Sequence, residues 1–150
     1  PSEELTFLAV KGFKRKMTDY YRRIDATSET PCGIALKTGT RFFVDFDDET
    51  ASDQDGSMKL HREAGYLSAQ STPLIARSGE AIGMISTHWQ TAKHRLDERE
   101  LRFLDLLARQ AADLIEQRQA ERIIRESEAR IQLALAAADL GAFVWHINED

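Results

Sequence analysis

From Asp97 to about Asp139 the chain contains neither glycine nor proline. Nothing in that stretch stops a helix, and Asp97 with Glu100 after it makes the pattern of a capping box at its start. Leu101, Leu104, Ala108, Ala111 and Ile115 recur at helical spacing and predict one apolar face. Glu98–Arg102, Asp105–Arg109, Glu121–Arg125 and Glu126–Arg130 stand at i,i+4 with the acid first, the favourable order. At 1.5 Å per residue, a helix from Asp97 to Arg130 would run roughly 50 Å. That is more helix than a lone domain of 150 residues requires. Its apolar face therefore predicts a second copy of the chain as partner, a homodimer through Asp97–Arg130. The seam is Leu101, Leu104, Ala108, Ala111 and Ile115, then Ile124 and Ile131. Between these two groups Arg118 and Arg122 fall where apolar residues are expected. This reads either as a phase shift in a coiled coil or as two helices meeting.

The residues before this helix read as a mixed α and β region. Leu5–Val10, Phe42–Phe46, Tyr66–Ile75 and Ala81–Trp89 are short, apolar and rich in strand formers. The last two flank Arg77-Ser78-Gly79-Glu80, which is turn chemistry, and so predict a hairpin. Pro31 followed by Ile34-Ala35-Leu36 and Gly39 predicts a short helix with a glycine at its end. Met58–Ala64 predicts another, closed by Gly65. Lys14–Arg23 is basic, carries Tyr20 and Tyr21, and suits a helix or a loop. After the long helix, Ala142–Ile147 reads as one more strand.

Composition narrows the function. The net charge of −5 argues against a nucleic-acid-coating protein. No apolar run approaches a membrane span, and no direct membrane contact is expected. The first residues, Pro1-Ser2-Glu3-Glu4, have neither the basic start nor the apolar core of a signal peptide. With no initiator Met, the chain reads as a piece of a longer one. The single cysteine, Cys32, excludes an intrachain disulfide framework and fits a reducing, cytoplasmic setting. One cysteine and four scattered histidines predict no metal site, and no motif calls for a cofactor. Gly-rich phosphate loops, a Gly-x-Ser-x-Gly elbow, and the phosphoacceptor and ATP-binding boxes of histidine kinases are all missing. The segment is therefore not expected to be an enzyme.

Several segments resemble the GAF domain of bacterial signalling proteins. They are Cys32-Gly33-Ile34-Ala35-Leu36, Gly39, Phe43-Val44-Asp45, Gly65-Tyr66, Gln70-Ser71-Thr72-Pro73-Leu74, Gly83–His88 and Asp97–Arg118. They occur in the family's order over about Leu5–Arg118. Leu133–Trp145 resembles the opening of a PAS domain. The resemblance implies an α+β fold, a central antiparallel sheet flanked by helices with a long C-terminal coiled-coil-type helix. It also implies three regions: an incomplete GAF domain over 1–118, a signalling helix over 119–131, and the start of a PAS domain over 132–150. The family's own first helix and first strand are missing before Leu5. That strand would lie between the Leu5–Val10 and Ala81–Trp89 strands, so both of those are expected to lack a neighbour.

Four residues are candidates for binding a small molecule. Cys32 is either a covalent attachment point, as in some relatives that bind bilins, or a small buried residue at a helix start. His88 lies where light-sensing relatives place a chromophore-facing histidine; otherwise it is a half-exposed strand-end residue. Tyr66, Ser68, Gln70 and Thr72 alternate along their strand, and a polar row there suits either a cavity or local hydrogen bonds. A ligand is placed near Tyr66 and Gln70. His61 and His94 stand in polar contexts and are expected to be solvated. The acids from Asp45 to Asp55 read as a solvated loop, because the EF-hand register is missing. By resemblance the chain is a sensory module of a histidine-kinase-type protein, relaying ligand or partner binding through the dimeric helix. The alternatives are a ligand-free dimerisation scaffold, or a GAF-like thiol enzyme such as a methionine-sulfoxide reductase, which would need more cysteines than Cys32.

Overall fold

A computed structural model describes residues 7–22, 30–48, 53 and 56–138. In chain order the elements are α1 (Arg15–Tyr21), α2 (Pro31–Thr38), β1 (Phe42–Asp45), α3 (Ser57–Ala64), β2 (Ser68–Ile75), β3 (Ala81–Trp89) and α4 (Glu98–Ala137). The chain divides into two compact units, Pro1–Asp113 and Leu114–Asp150, with the division inside α4.

In the first unit the three strands form an antiparallel sheet in the order β1-β2-β3. β2 and β3 make the expected hairpin, with Ala69 opposite His88 and Ser71 opposite Ser86. On β1, Val44 stands opposite Ala69. Directly opposed residues share a face, so Val44, Ala69, Ser71, Ser86 and His88 lie on one side of the sheet. Phe43, Gln70 and Thr87 lie on the other. Helix α2 packs on the first side against all three strands.

Local chemistry fixes the helix ends. The Thr30 hydroxyl accepts from the Gly33 N–H at 3.2 Å, Pro31 fills the first turn of α2, and Gly39 ends it in the left-handed region. Asp53 caps α3 from a distance, accepting from the Met58 and Lys59 N–H groups at 2.8 and 2.9 Å. At the other end Gly65 takes φ +92°, and the Tyr66 N–H closes on the His61 carbonyl at 2.9 Å. The capping box before α4 is formed as expected: Asp97 accepts from the Arg99 and Glu100 N–H groups, and Glu100 accepts from the Asp97 N–H.

β2 is buried along both faces except at Ile75. Helices α2 and α3 account for one face. For the other, Leu104, Ala108 and Ala112 form the buried stripe of α4. Arg41, just before β1, pairs with Asp105, and Arg77, just after β2, pairs with Asp113 at 3.3 Å. The first turns of α4 are therefore the second helical layer. In the second unit, the described part is the helical stretch after Leu114. It carries the pair Arg122–Glu126 at 2.8 Å and exposes Ile123, Ile124, Ile131 and Leu133. No helix among the described residues is long and apolar enough to cross a membrane.

One expectation changes and another is narrowed. The expected strand Leu5–Val10 is not a strand over residues 7–10, and Leu8 is 80% exposed. Leu5 and Thr6 lie outside the described residues. A ladder needs a neighbouring strand, and side-chain packing by Phe7 and Phe13 fixes this segment instead. Of Lys14–Arg23, the described part is helical from Arg15 to Tyr21. The Ala142–Ile147 strand and the end of the PAS-like stretch lie outside the described residues.

Gly65 offers a test of the loop that aims α3 and β2. A Cβ there meets nothing within 4 Å, so only the backbone conformation resists a side chain. Gly65→Ala is expected to lower stability by about 1–2 kcal/mol and to reduce Tm by several degrees in thermal denaturation. An unchanged Tm would show that the left-handed cap is dispensable.

Candidate functional site

The side of the sheet under α2 and α3 gathers six rings from six places in the chain. His88 comes from β3, His61 from α3, Tyr21 from α1, Phe46 from the end of β1, Tyr66 from the turn before β2, and Phe13 from the segment before α1. Phe46, His61 and His88 are nearly coplanar in orientation. Phe46 to His61 is 4.0 Å at 9°, and His61 to His88 is 5.2 Å at 4°. Phe13, Tyr21 and Tyr66 meet His88 edge-on at 4.8, 6.2 and 5.6 Å. Edge-to-face and offset contacts of this kind add about 0.5–1.5 kcal/mol each beyond burial.

His61 is fully buried, which corrects its expected solvation. The reason is its helical position. Ser57, Met58 and His61 share the inner face of α3, while Lys59 is exposed and Arg62 reaches round to donate to the Phe46 carbonyl, and these two gave the segment its polar look. Its Nδ1 lies 2.6 Å from the Ser57 carbonyl, and its Nε2 lies 2.7 Å from the Tyr21 hydroxyl. A carbonyl only accepts, so Nδ1 carries the proton and Nε2 accepts from Tyr21. This chain of bonds ties α1 to α3 and fixes the tautomer.

His88 differs. Among the described residues no hydrogen-bond partner reaches its imidazole. Burial, and then the neighbouring His61, push its pKa down to about 3. It is therefore a neutral imidazole near neutral pH, with both a donor and an acceptor unspent.

Cys32 lies beside these rings, in one buried cluster with Met17 and Tyr21. Its Sγ lies 3.3 Å from the Ser86 hydroxyl and 3.6 Å from that of Ser71, and the two hydroxyls are 3.0 Å apart. Burial pushes the thiol pKa up, against the lowering effect of the serines. A buried protonated thiol is a poor nucleophile.

Tyr66 and Gln70 are separated by the sheet. Tyr66 precedes β2, packs with Phe46, Met58 and Ala69, and donates to the Gly12 carbonyl at 3.0 Å. Gln70 lies on the α4 side, fully buried, with Nε2 donating to Thr72 at 3.0 Å and Oε1 unpartnered. The strand begins at Ser68, so the alternation starting at Tyr66 does not extend through the turn. The structure thus brings Tyr66 and His88 together, with Cys32 on the same face, and sets Gln70 apart. Phe13 and Phe46 join the site as residues with no earlier reading, Tyr21 as part of the basic stretch Lys14–Arg23, and His61 against its expected solvation. Only the spacing of Met58 and His61 on one helix face signalled any of them.

On the long helix, Leu104 and Ala108 are buried within a single chain, and Leu101, Ala111 and Ile115 are half-buried. Ile124 and Ile131 are more than half exposed. Of the acidic run, Asp45 forms a two-pronged pair with Arg95 at 2.7 and 3.0 Å. Among the described residues no cluster of histidine, cysteine or carboxylate side chains is arranged to hold a metal ion.

The profile of the GAF domain family matches residues 9–116. The chain belongs to the GAF domain family. Two solved structures share its fold. One is the GAF domain region of a protein assigned as a membrane protein from Geobacter sulfurreducens PCA, at 22% identity and TM-score 0.57, covering 70% of this chain and 68% of that one. The other is a domain of a protein assigned as a two-component sensor histidine kinase from Sinorhizobium meliloti 1021, at 24% identity and TM-score 0.60, covering 81% and 76%. No curated protein matches the chain.

The depressed pKa of His88 makes this GAF domain sensitive to acid. The unfolded chain binds a proton at His88 more readily than the folded one does, so stability is full above the ordinary histidine pKa and falls as pH drops from about 6.5 toward 3. Between pH 7 and pH 5 the folded state is expected to lose about 2 kcal/mol through this group. In urea titrations His88→Phe should flatten that slope. A variant with the wild-type slope would remove His88 as its cause.

Proposed function

We propose that this GAF domain is a sensory module of a signal-transduction protein, and that occupancy of the ring site around His88 is relayed through a dimer of α4. The single observation that carries this reading is the layout of α4 itself. Its buried stripe and its ion pairs to Arg41 and Arg77 couple it to the sheet, while a different stripe faces outward. Phe103, Leu114, Ile124 and Ile131 are each more than half exposed, and Leu107 is exposed as well. Phe103, Ile124 and Ile131 are whole heptads apart, as are Leu107 and Leu114, and the two series interleave at coiled-coil spacing. Leu104 and Ala108 are already used within one chain, so on this reading the dimer seam runs through the exposed series. The apparent phase break near Arg118 then marks the place where one apolar stripe ends and the other continues.

In such a dimer the sheet domain biases the rotation or register of α4, and that bias reaches whatever domain follows. A PAS domain after the helix and a histidine kinase as output fit the sequence resemblance. The candidate ligand residues are His88, Tyr66 and Cys32 on the helix side, with Gln70 as a separate position under α4. No enzymatic role is assigned to the segment, and the buried thiol of Cys32 speaks against a thiol enzyme.

A cysteine scan in a Cys32→Ser background tests the relay. Single cysteines at Leu107, Leu114, Ile124 and Ile131 are expected to form intersubunit disulfides several-fold faster than cysteines at Arg109 and Glu116. Equal or absent crosslinking at all positions would overturn the dimer. One observation favours a second reading, a dimerisation scaffold without ligand: the chain's own rings fill the space around His88. Native mass spectrometry of the purified protein separates the two. A bound small molecule lost on His88→Phe supports the sensor, and a bare dimer supports the scaffold.

A further inference from the structure

The segment from Phe7 to Lys14 crosses the ring site without forming a strand or a helix. It is held there by few contacts. The Gly12 carbonyl accepts from Tyr66, the Phe7 ring touches Tyr21 at 6.2 Å, and Phe13 inserts among the others. Leu8 and Val10 are exposed. Gly12 takes φ +86°, the turn that swings the next residue inward. Phe13 then stacks on Tyr21 at 5.7 Å and 17°, and meets Tyr66 at 5.5 Å and His88 at 4.8 Å. A flat ring thus already lies in a slot with one stacking wall and two edge walls.

That ring satisfies the slot only in part. Phe13 is hydrocarbon and offers nothing to the unpartnered imidazole of His88. None of the rings that line the slot carries a fixed charge, so an ion would enter without a counter-charge, at a large desolvation cost. A neutral planar ring with a hydrogen-bonding edge would replace the stacking of Phe13 and give His88 the partner it lacks.

We propose that Phe13 is an internal plug, and that the segment Phe7–Lys14 is a strap that must lift when a neutral heteroaromatic ligand takes the place of its ring. The strap is suited to this because a segment with few buried contacts opens at low cost. Release of Tyr66 from the Gly12 carbonyl would follow from the same movement, so the strap reports occupancy at the surface of the domain. This inference rests on the reading of the His88 side as the ligand site, and it adds what guards that site.

The probe is benzimidazole, which is flat and mostly neutral above pH 7 and carries one donor and one acceptor. Binding is measured by ligand-observed NMR and calorimetry on the whole chain, with circular dichroism to confirm folding. Phe13→Ala is expected to bind benzimidazole at least tenfold more tightly than the wild type. The further change His88→Phe is expected to abolish that gain. Trypsin cleavage after Lys14, identified by mass spectrometry, should quicken several-fold in Phe13→Ala and in the wild type at high benzimidazole. Phe13→Leu serves as a second variant should Phe13→Ala fail to fold. Equal affinity in wild type and folded variant would overturn the plug while leaving the site in place. Binding to neither would overturn the plug as well. The α4 relay is read independently by its crosslinks.

Discussion

The structure depends on one strand that is covered on both faces. β2 is buried from Ser68 to Leu74, yet its side chains are mostly small or polar. Those polar groups need local partners, since water does not reach them, and all but Gln70 Oε1 depend on near neighbours. Ser71 finds Ser86 and Cys32, Ser68 donates to the Thr91 carbonyl, and Gln70 donates to Thr72. This sets what can lie on either side. The helix side receives small neighbours at Cys32 and Ala35 and leaves room beyond them for rings. On the other side, the buried stripe Leu104, Ala108 and Ala112 belongs to α4, whose ion pairs reach Arg41 and Arg77 at the ends of the strands.

The rings on the helix side form a joint rather than a conventional oily core. Two imidazoles, His61 and His88, lie among the rings of Phe13, Tyr21, Phe46 and Tyr66. His61 uses both nitrogens, one on its own helix and one on Tyr21, so α1 and α3 move as one piece. His88 uses neither. The same type of side chain, 5.2 Å away, therefore serves two ends. One imidazole is structural and saturated, and the other holds chemistry in reserve.

Much of the fold was legible in the sequence because it rests on local signals. Pro31 and Gly39 bracket α2, Gly65 closes α3, Asp97 and Glu100 open α4, and the Gly79 turn joins β2 to β3. Features that depend on distant partners were not legible. The apolar spacing from Leu101 to Ile115 shows that a face exists but not whether a sheet or a second chain covers it. His61 hides between Lys59 and Arg62, because helical geometry rather than neighbouring residues decides its burial. The Tyr66–Thr72 alternation ran on through a turn that breaks the period, and so joined two residues that the sheet keeps apart. The ring site itself draws on six separate places in the chain, and no spacing rule links Phe13 to His88.

The two ion pairs that tether the first turns of α4 stand about two helical turns apart on one side of that helix. A rotation by a single residue, about 100°, would carry both acids away from their arginines together. The two pairs would therefore be lost together rather than one at a time. Both acids are substantially exposed, and such pairs contribute little individually and weaken with salt. Raised ionic strength is thus expected to loosen both contacts in parallel, and dilute solution to tighten them.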